Sequence, residues 1–149
     1  MAEKKSRKKK SKKKKEYVFV TGKRKTAVAR AKVVPGSGKI YINSRPLDVW
    51  GNERLRLWIK EPILLAGDVG LKFDFDITAK GGGIVSQAEA IRMAIAKGLV
   101  EITGDKKLKE KFLQYDRGLL IYDPRRNEPH HAGGASKRGS RRHKQRSKR

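Results

Sequence analysis

The chain has 149 residues, 39 of them lysine or arginine against 15 aspartates and glutamates, for a formal net charge of +24 at pH 7. With 36% hydrophobic and 36% charged residues it can build one small domain at most, which excludes a large enzyme with a deep core and makes acidic polymers the first partners to consider. The absence of cysteine removes disulfides, thiolate zinc sites and cysteine nucleophiles, and suits a reducing cytoplasm.

Residues 1–15 hold nine lysines and Arg7 against Glu3, a charge of +9 that keeps this arm from packing by itself. No uninterrupted apolar run in the chain exceeds four residues, against roughly twenty for a membrane span. Lys12 to Lys15 leads into Tyr17–Val20, not into the apolar stretch of about 7–15 residues that a secretory signal needs. The expectation is a cytoplasmic protein with no membrane partner.

Tyr17 to Val20 reads as a short strand. Thr26 to Val34 alternates Ala27, Ala29, Ala31 and Val33 with Val28, Arg30, Lys32 and Val34, giving one small apolar face and one partly cationic face. Pro35-Gly36-Ser37-Gly38 ends that run and Lys39 to Asn43 resumes in β-type residues, so the pair reads as a hairpin. Asn52 can cap a helix starting at Glu53, with Leu55, Trp58 and Ile59 on one stripe; Pro62 is expected to break or restart it before Ile63 to Ala66. Leu71, Phe73, Phe75, Ile77 and Ala79 alternate with Lys72, Asp74, Asp76, Thr78 and Lys80, the clearest strand pattern in the chain. After Gly81-Gly82-Gly83, the residues Ile84, Ala88, Ile91, Ile95, Leu99 and Ile102 recur at helical spacing and predict a long amphipathic helix. A shorter helix follows over Lys106 to Gln114, and Leu119 to Tyr122 reads as a final strand. The order predicts an α+β domain over residues 16–124, a mixed sheet with helices packed on one face.

Residues 125–149 form a second arm, with Arg125, Arg126, Lys137, Arg138, Arg141, Arg142, Lys144, Arg146, Lys148 and Arg149 against Glu128, again +9. A single basic terminus often serves as a solubilising or nuclear-targeting tail. Here there are two, and the second interleaves arginine with glycine and serine. Arginine forks onto phosphates and stacks on bases, and small residues allow close backbone approach. Fully extended at about 3.3 Å per residue, Pro129 to Arg149 reaches roughly 70 Å, several times the radius of a small domain.

Within the domain, Gly22-Lys23-Arg24-Lys25-Thr26 places three cations in a turn, either a solvated hairpin tip or a phosphate grip. Gly81-Gly82-Gly83 between strand and helix offers N–H groups and a helix dipole to an anion, or is a plain tight turn. A nucleotide phosphate loop at Gly36-Ser37-Gly38-Lys39 fails, because Val33 and Ile40 stand where glycine and serine or threonine are required. A dinucleotide fingerprint fails at Ser86. Asp74 and Asp76, flanked by Lys72 and Lys80, read as a solvent face rather than an acid–base pair. His130, His131 and His143 lie in the cationic arm without accompanying carboxylates, so no metal or other cofactor is expected. No nucleophile–base spacing invites a catalytic reading.

Several of these segments together resemble the universal small-subunit ribosomal protein S9 family. The resemblance runs from about Tyr17 to Arg149 and rests on Gly22-Lys23-Arg24-Lys25-Thr26-Ala27, Glu61-Pro62, Gly81-Gly82-Gly83 with Gln87 and Arg92, Tyr115-Asp116-Arg117, Asp123-Pro124-Arg125-Arg126 and the ending Ser147-Lys148-Arg149. The Tyr115-Asp116-Arg117 and Asp123 to Arg126 motifs are of the archaeal and eukaryotic kind. The resemblance implies a fold of the ribosomal protein S5 domain 2-like type, seated on small-subunit rRNA in the head, the 3′ major domain. It also implies a C-terminal tail threading through rRNA toward the anticodon stem-loop of P-site tRNA. The rRNA contacts it implies fall on Lys23, Arg24, Lys25, Arg30, Gly81, Gly82, Gly83, Gln87, Arg92, Arg117, Arg125, Arg126, Lys137, Arg138, Arg141, Arg142 and Lys144, and the tRNA contacts on Arg146, Lys148 and Arg149. Two positions depart from the family: His130-His131 stand where relatives tend to carry a lysine pair, and Arg146 stands where Lys or Phe is common.

The expected function is therefore a non-catalytic ribosomal protein, present singly rather than as a homo-oligomer, with rRNA, P-site tRNA and neighbouring head proteins as partners. Two rivals come from other classes. A DNA-compacting architectural protein would suit two basic arms, yet the centre lacks an apolar wedge flanked by basic residues. A small kinase-like enzyme of the same fold would need nucleotide binding at Gly36 to Lys39 or Gly81 to Gly83.

Overall fold

A computed structural model describes residues 17–126. Five strands and three α-helices follow one another as β1 (Val18–Arg24), β2 (Ala27–Pro35), β3 (Ile40–Ile42), β4 (Arg45–Pro46), α1 (Glu53–Ala66), β5 (Phe73–Lys80), α2 (Ile84–Thr103) and α3 (Lys106–Tyr115). The sheet order is β1-β2-β5-β3-β4, antiparallel except for the β3–β5 pair, which is parallel. The fold is α+β, with a mixed five-stranded sheet.

Period-two alternation sorts the sheet into two faces. Val18, Val20, Ala27, Ala29, Ala31, Val33, Phe75, Ile77 and Ala79 are buried, while Phe19, Thr21, Lys23, Arg30, Lys32, Asp76, Thr78 and Lys80 are exposed. α2 lies directly on the buried face across β1 and β2, and α1 packs on α2. Small residues permit the close approach: a Cβ on Gly22 would sit 2.0 Å from the Ala90 carbonyl oxygen, and one on Gly98 would sit 2.6 Å from the Val33 side chain. Ala27, Ala29 and Ala31 of β2 and Ala88, Ala90 and Ala94 of α2 belong to one buried cluster.

Four local expectations change. Lys39 to Asn43 does not pair with β2, because β5 lies between them. The Pro35 to Gly38 turn is bent around Asp74 of β5, whose carboxylate accepts the N–H groups of Ser37 and Lys39 at 2.8 Å each, so β5 satisfies donors that a hairpin would have paired. β5 begins at Phe73 and not Leu71, which belongs to a 3₁₀ segment, Gly67–Lys72, and is 58% exposed. α1 runs through Pro62 without interruption; Ile59, Pro62 and Ile63 form one buried stripe, and holding both halves on the core outweighs the lost N–H bond. Leu119 to Tyr122 is not a strand: Arg117–Leu119 is a 3₁₀ turn initiated by Asp116, whose carboxylate accepts the Gly118 N–H at 2.7 Å, and Leu119 is buried under it. The Asn52 cap forms as expected, accepting the Leu55 N–H at 3.1 Å.

Candidate nucleic-acid interface

The three cations of Lys23-Arg24-Lys25 separate. Gly22, Lys23 and Arg24 are strand residues, and the turn between β1 and β2 consists of Lys25, at φ 52°, and Thr26 alone. Strand alternation sends Lys23 to the open face of the sheet and Arg24 toward α2, and leaves Lys25 exposed at the tip. Arg24 is not a free cation. It donates to Glu89 on α2 and to Asp123 beyond α3, and the Glu89 bond is the main reason its guanidinium holds its proton more tightly than usual. Lys23, Lys25, Arg30 and Lys80 have no carboxylate within ion-pair distance among the described residues.

The glycine triplet packs on that turn. Gly81 and Gly82 take φ values of 79° and 64°, and a Cβ on Gly81 would sit 2.5 Å from the Thr26 carbonyl oxygen. Gly83 is the N-cap of α2 and supplies no side-chain cap, so the first-turn N–H groups of the 20-residue helix stay open to an anion. Gln87 donates from Nε2 to the Gly81 carbonyl at 3.1 Å and holds the loop against the helix. The basic turn, the triplet and the α2 N-terminus thus form one continuous surface.

The root of the C-terminal arm joins this surface through Asp123. Its carboxylate is bonded to Arg24 and also accepts from the Arg125 backbone N–H at 2.9 Å and from Arg125 Nη2 at 2.7 Å, contacts that hold it well below the usual carboxylate range, those from Arg125 foremost. The Arg125 side chain is nevertheless 80% exposed. Arg126 donates to the Tyr122 hydroxyl at 2.9 Å and lies 5.8 Å from that ring's centre. Arg117 is exposed at the start of its 3₁₀ turn, and Arg30 lies on the open sheet face.

Arg92 has a different place. It is 8% exposed, its Nε donates to Glu61 at 2.5 Å and its Nη1 to Asp116 at 2.7 Å, and the Trp58 ring lies 5.6 Å away. Tyr115 donates its hydroxyl to the other oxygen of Glu61. Burial alone would raise the Asp116 carboxyl, but the hydrogen bonds from Arg92 and Gly118 bring it below its ordinary value. The motif residues Glu61, Arg92, Tyr115 and Asp116, far apart in sequence, are therefore one internal network tying α1, α2 and the end of α3.

In the loop Gly36 to Lys39, the Gly36 N–H donates to the Lys72 carbonyl at 2.9 Å while those of Ser37 and Lys39 donate to Asp74, and the Lys39 and Ser37 bonds lower that carboxyl despite partial desolvation. Those donors are not available to a nucleotide phosphate. Asp74 is accordingly half-buried, whereas Asp76 faces solvent. Among the described residues no group of three His, Cys, Asp or Glu side chains could hold a metal ion, and no helix is long and apolar enough to cross a membrane. Lys137, Arg138, Arg141, Arg142, Lys144, Arg146, Lys148 and Arg149, with His130, His131 and His143, lie outside the described residues. Sequence reasoning missed Glu89, the acidic partner that turns Arg24 inward. Its signal is faint: it is one acid on the early turns of a helix that otherwise offers the sheet alanine and isoleucine.

The family model described as "Ribosomal protein S9/S16" matches residues 22–149. A protein of Methanococcus maripaludis strain C7 named "Small ribosomal subunit protein uS9" is 51% identical over 120 residues, covering 80% of this chain and 90% of the relative. A protein of the same name from Methanococcus vannielii is 48% identical over the same shares. The family match spans the basic turn, the glycine triplet and the Arg92 network alike, and the chain belongs to the ribosomal protein S9/S16 family.

Proposed function

We propose that this chain docks on small-subunit rRNA through the surface formed by Lys23, Lys25, the Gly81–Gly83 elbow, the α2 N-terminus and the arginines at the root of the C-terminal arm. As a member of its family the chain is a structural constituent of the small ribosomal subunit in the cytoplasmic ribosome. The observation that carries the rRNA reading is the convergence, at one end of the domain where a +9 arm begins, of Lys23 and Lys25, which have no ion-pair partner among the described residues, with the exposed Arg125 and the α2 N-terminus, which has no side-chain cap. Side chains cannot read sequence in the deep major groove of an RNA helix, so such a surface works by phosphate neutralisation and shape. Gln87, Arg24 and Arg92 contribute here by positioning: the first holds the glycine elbow, the second ties the arm to α2, the third holds the helices together.

The finer placement in the head, and the contact with P-site tRNA, are part of this proposal and rest on the resemblance of the tail to the family's. In that reading Lys137, Arg138, Arg141, Arg142 and Lys144 follow rRNA phosphates, and Arg146, Lys148 and Arg149 reach the anticodon stem-loop. No catalytic role is proposed. The first test is whether the protein in lysate stays with small subunits through a high-salt wash. Stoichiometric retention supports the reading, and release into the soluble or chromosomal fraction overturns it in favour of DNA compaction. Removing Lys148 and Arg149 should leave that retention intact and raise the off-rate of P-site tRNA; an unchanged off-rate would sink the tRNA assignment.

A further inference from the structure

The face of the sheet turned away from α2 has no cover among the described residues and an unusual composition. Register places Phe19, Lys32, Asp76 and Tyr41 in one row across β1, β2, β5 and β3, with Thr21, Arg30 and Thr78 in the next and Lys23, Val28 and Lys80 beyond. Phe19 is 66% exposed, Tyr17 52% and Tyr41 41%. Tyr17 and Phe19 meet edge to face with ring centres 5.4 Å apart, and the Lys32 ammonium lies 5.7 Å from the Tyr17 ring centre.

Four cations, Lys23, Arg30, Lys32 and Lys80, share this face with one free-standing carboxylate, Asp76, since Asp74 is engaged by the Ser37 and Lys39 N–H groups. Adjacent strands lie about 4.8 Å apart, so Phe19 and Tyr41 stand about 14 Å from each other, with Lys32 and Asp76 between them and Arg30 in the next row. Phe19 also forms one wall of a groove at the free edge of β1, whose other walls include Thr21, Lys97, Lys109 and Glu101.

We propose that this open face is a second RNA contact, one for unpaired nucleotides: Phe19 and Tyr41 stack on bases while Lys23, Arg30, Lys32 and Lys80 take the flanking phosphates. Positive charge alone would suit any stretch of RNA. Exposed rings add a requirement for bases whose faces are free, which a duplex does not present. The proposal deepens the rRNA reading above and rests on it.

The test compares the affinity of the full-length chain for a single-stranded oligouridylate with its affinity for an RNA duplex of equal length, at one salt concentration. Both arms are unchanged in every variant, so the ratio isolates the sheet face. The double variant Phe19→Ala, Tyr41→Ala should lower the single-strand-to-duplex ratio at least about thirtyfold, the product of two lost base–aromatic stacks of about fivefold or more each. Phe19→Trp should preserve it, and so should Leu64→Ala, which removes a side chain 73% exposed on α1. An unchanged ratio in the double variant overturns the proposal. In purified small subunits, ultraviolet cross-links from Phe19 or Tyr41 to nucleotides would support it, and cross-links to protein alone would show instead that a neighbouring subunit covers this face. The salt-wash retention of the wild-type chain tests the docking reading separately, so a failure of the sheet-face proposal is told apart from a failure of the reading it rests on.

Discussion

Two arginines, one at the end of β1 and one on α2, make the same kind of carboxylate pairing in different surroundings. Arg92 is 8% exposed and lies within a closed set: Glu61, Asp116 and Tyr115 are bonded to it or to each other, and Trp58 covers the guanidinium. Arg24 also takes two carboxylates, Glu89 and Asp123, but its neighbours Lys23 and Lys25 and the following Arg125 and Arg126 leave a cationic surplus at the surface. Basic residues in a family motif thus divide into those that hold the domain and those that face a polyanion. What separates them is burial as well as pairing: Arg125 is bonded to Asp123 yet its side chain is 80% exposed, whereas Arg92, bonded to Glu61 and Asp116, is 8% exposed.

The sharpest way to break that distinction is Arg92→Ala. Removing the guanidinium leaves Glu61 and Asp116 facing each other beneath Trp58, and stability should fall by about 3 kcal/mol, the low end for disrupting a buried pair because both carboxylates keep some solvent. Urea denaturation measures this, with RNA affinity of the folded protein unchanged. A decrease under about 1 kcal/mol would mean the network is no more than a surface ion pair. A smaller effect is expected for Gly81→Ala, about 2 kcal/mol from an alanine held at φ 79° and a Cβ 2.5 Å from the Thr26 carbonyl oxygen. Here RNA affinity should fall too, because the turn carrying Lys25 must move. Affinity that survives the destabilisation would detach the glycine elbow from the interface. The smallest effect on stability belongs to the pair Lys23→Gln, Lys25→Gln, within about 0.5 kcal/mol. Their signature is the salt dependence: the slope of log affinity against log salt should flatten by about 0.9 for each phosphate that is no longer neutralised. An unaltered slope would show that neither lysine touches RNA.

Much of the fold and the interface is legible in the chain. Alternation from Phe73 to Lys80 marks a half-buried strand, the spacing from Ile84 to Leu99 marks the long helix, and Asn52 marks the start of α1. The motif residues of the glycine elbow and the basic turn are also visible, because glycine and lysine runs at strand ends carry their chemistry locally. The failures share a cause. Pro35 to Gly38 reads as a hairpin turn on its own residues, and only Asp74, 37 positions after Ser37, shows that another strand intervenes. Leu119 to Tyr122 has strand composition, but Asp116 closes a tight turn ahead of it and Leu119 is pulled into the core.

Charge layout, periodicities and family are all written along the chain, since each depends on residue identity and near-neighbour spacing. Which cations remain open is settled by folding. Arg24 and Lys25 are adjacent in the chain, yet a carboxylate 65 positions away and another 99 positions away turn the first inward and leave the second exposed. Ion pairing acts over a few ångströms whatever the separation along the chain, so the choice between structural and ligand-facing charge is made by folding.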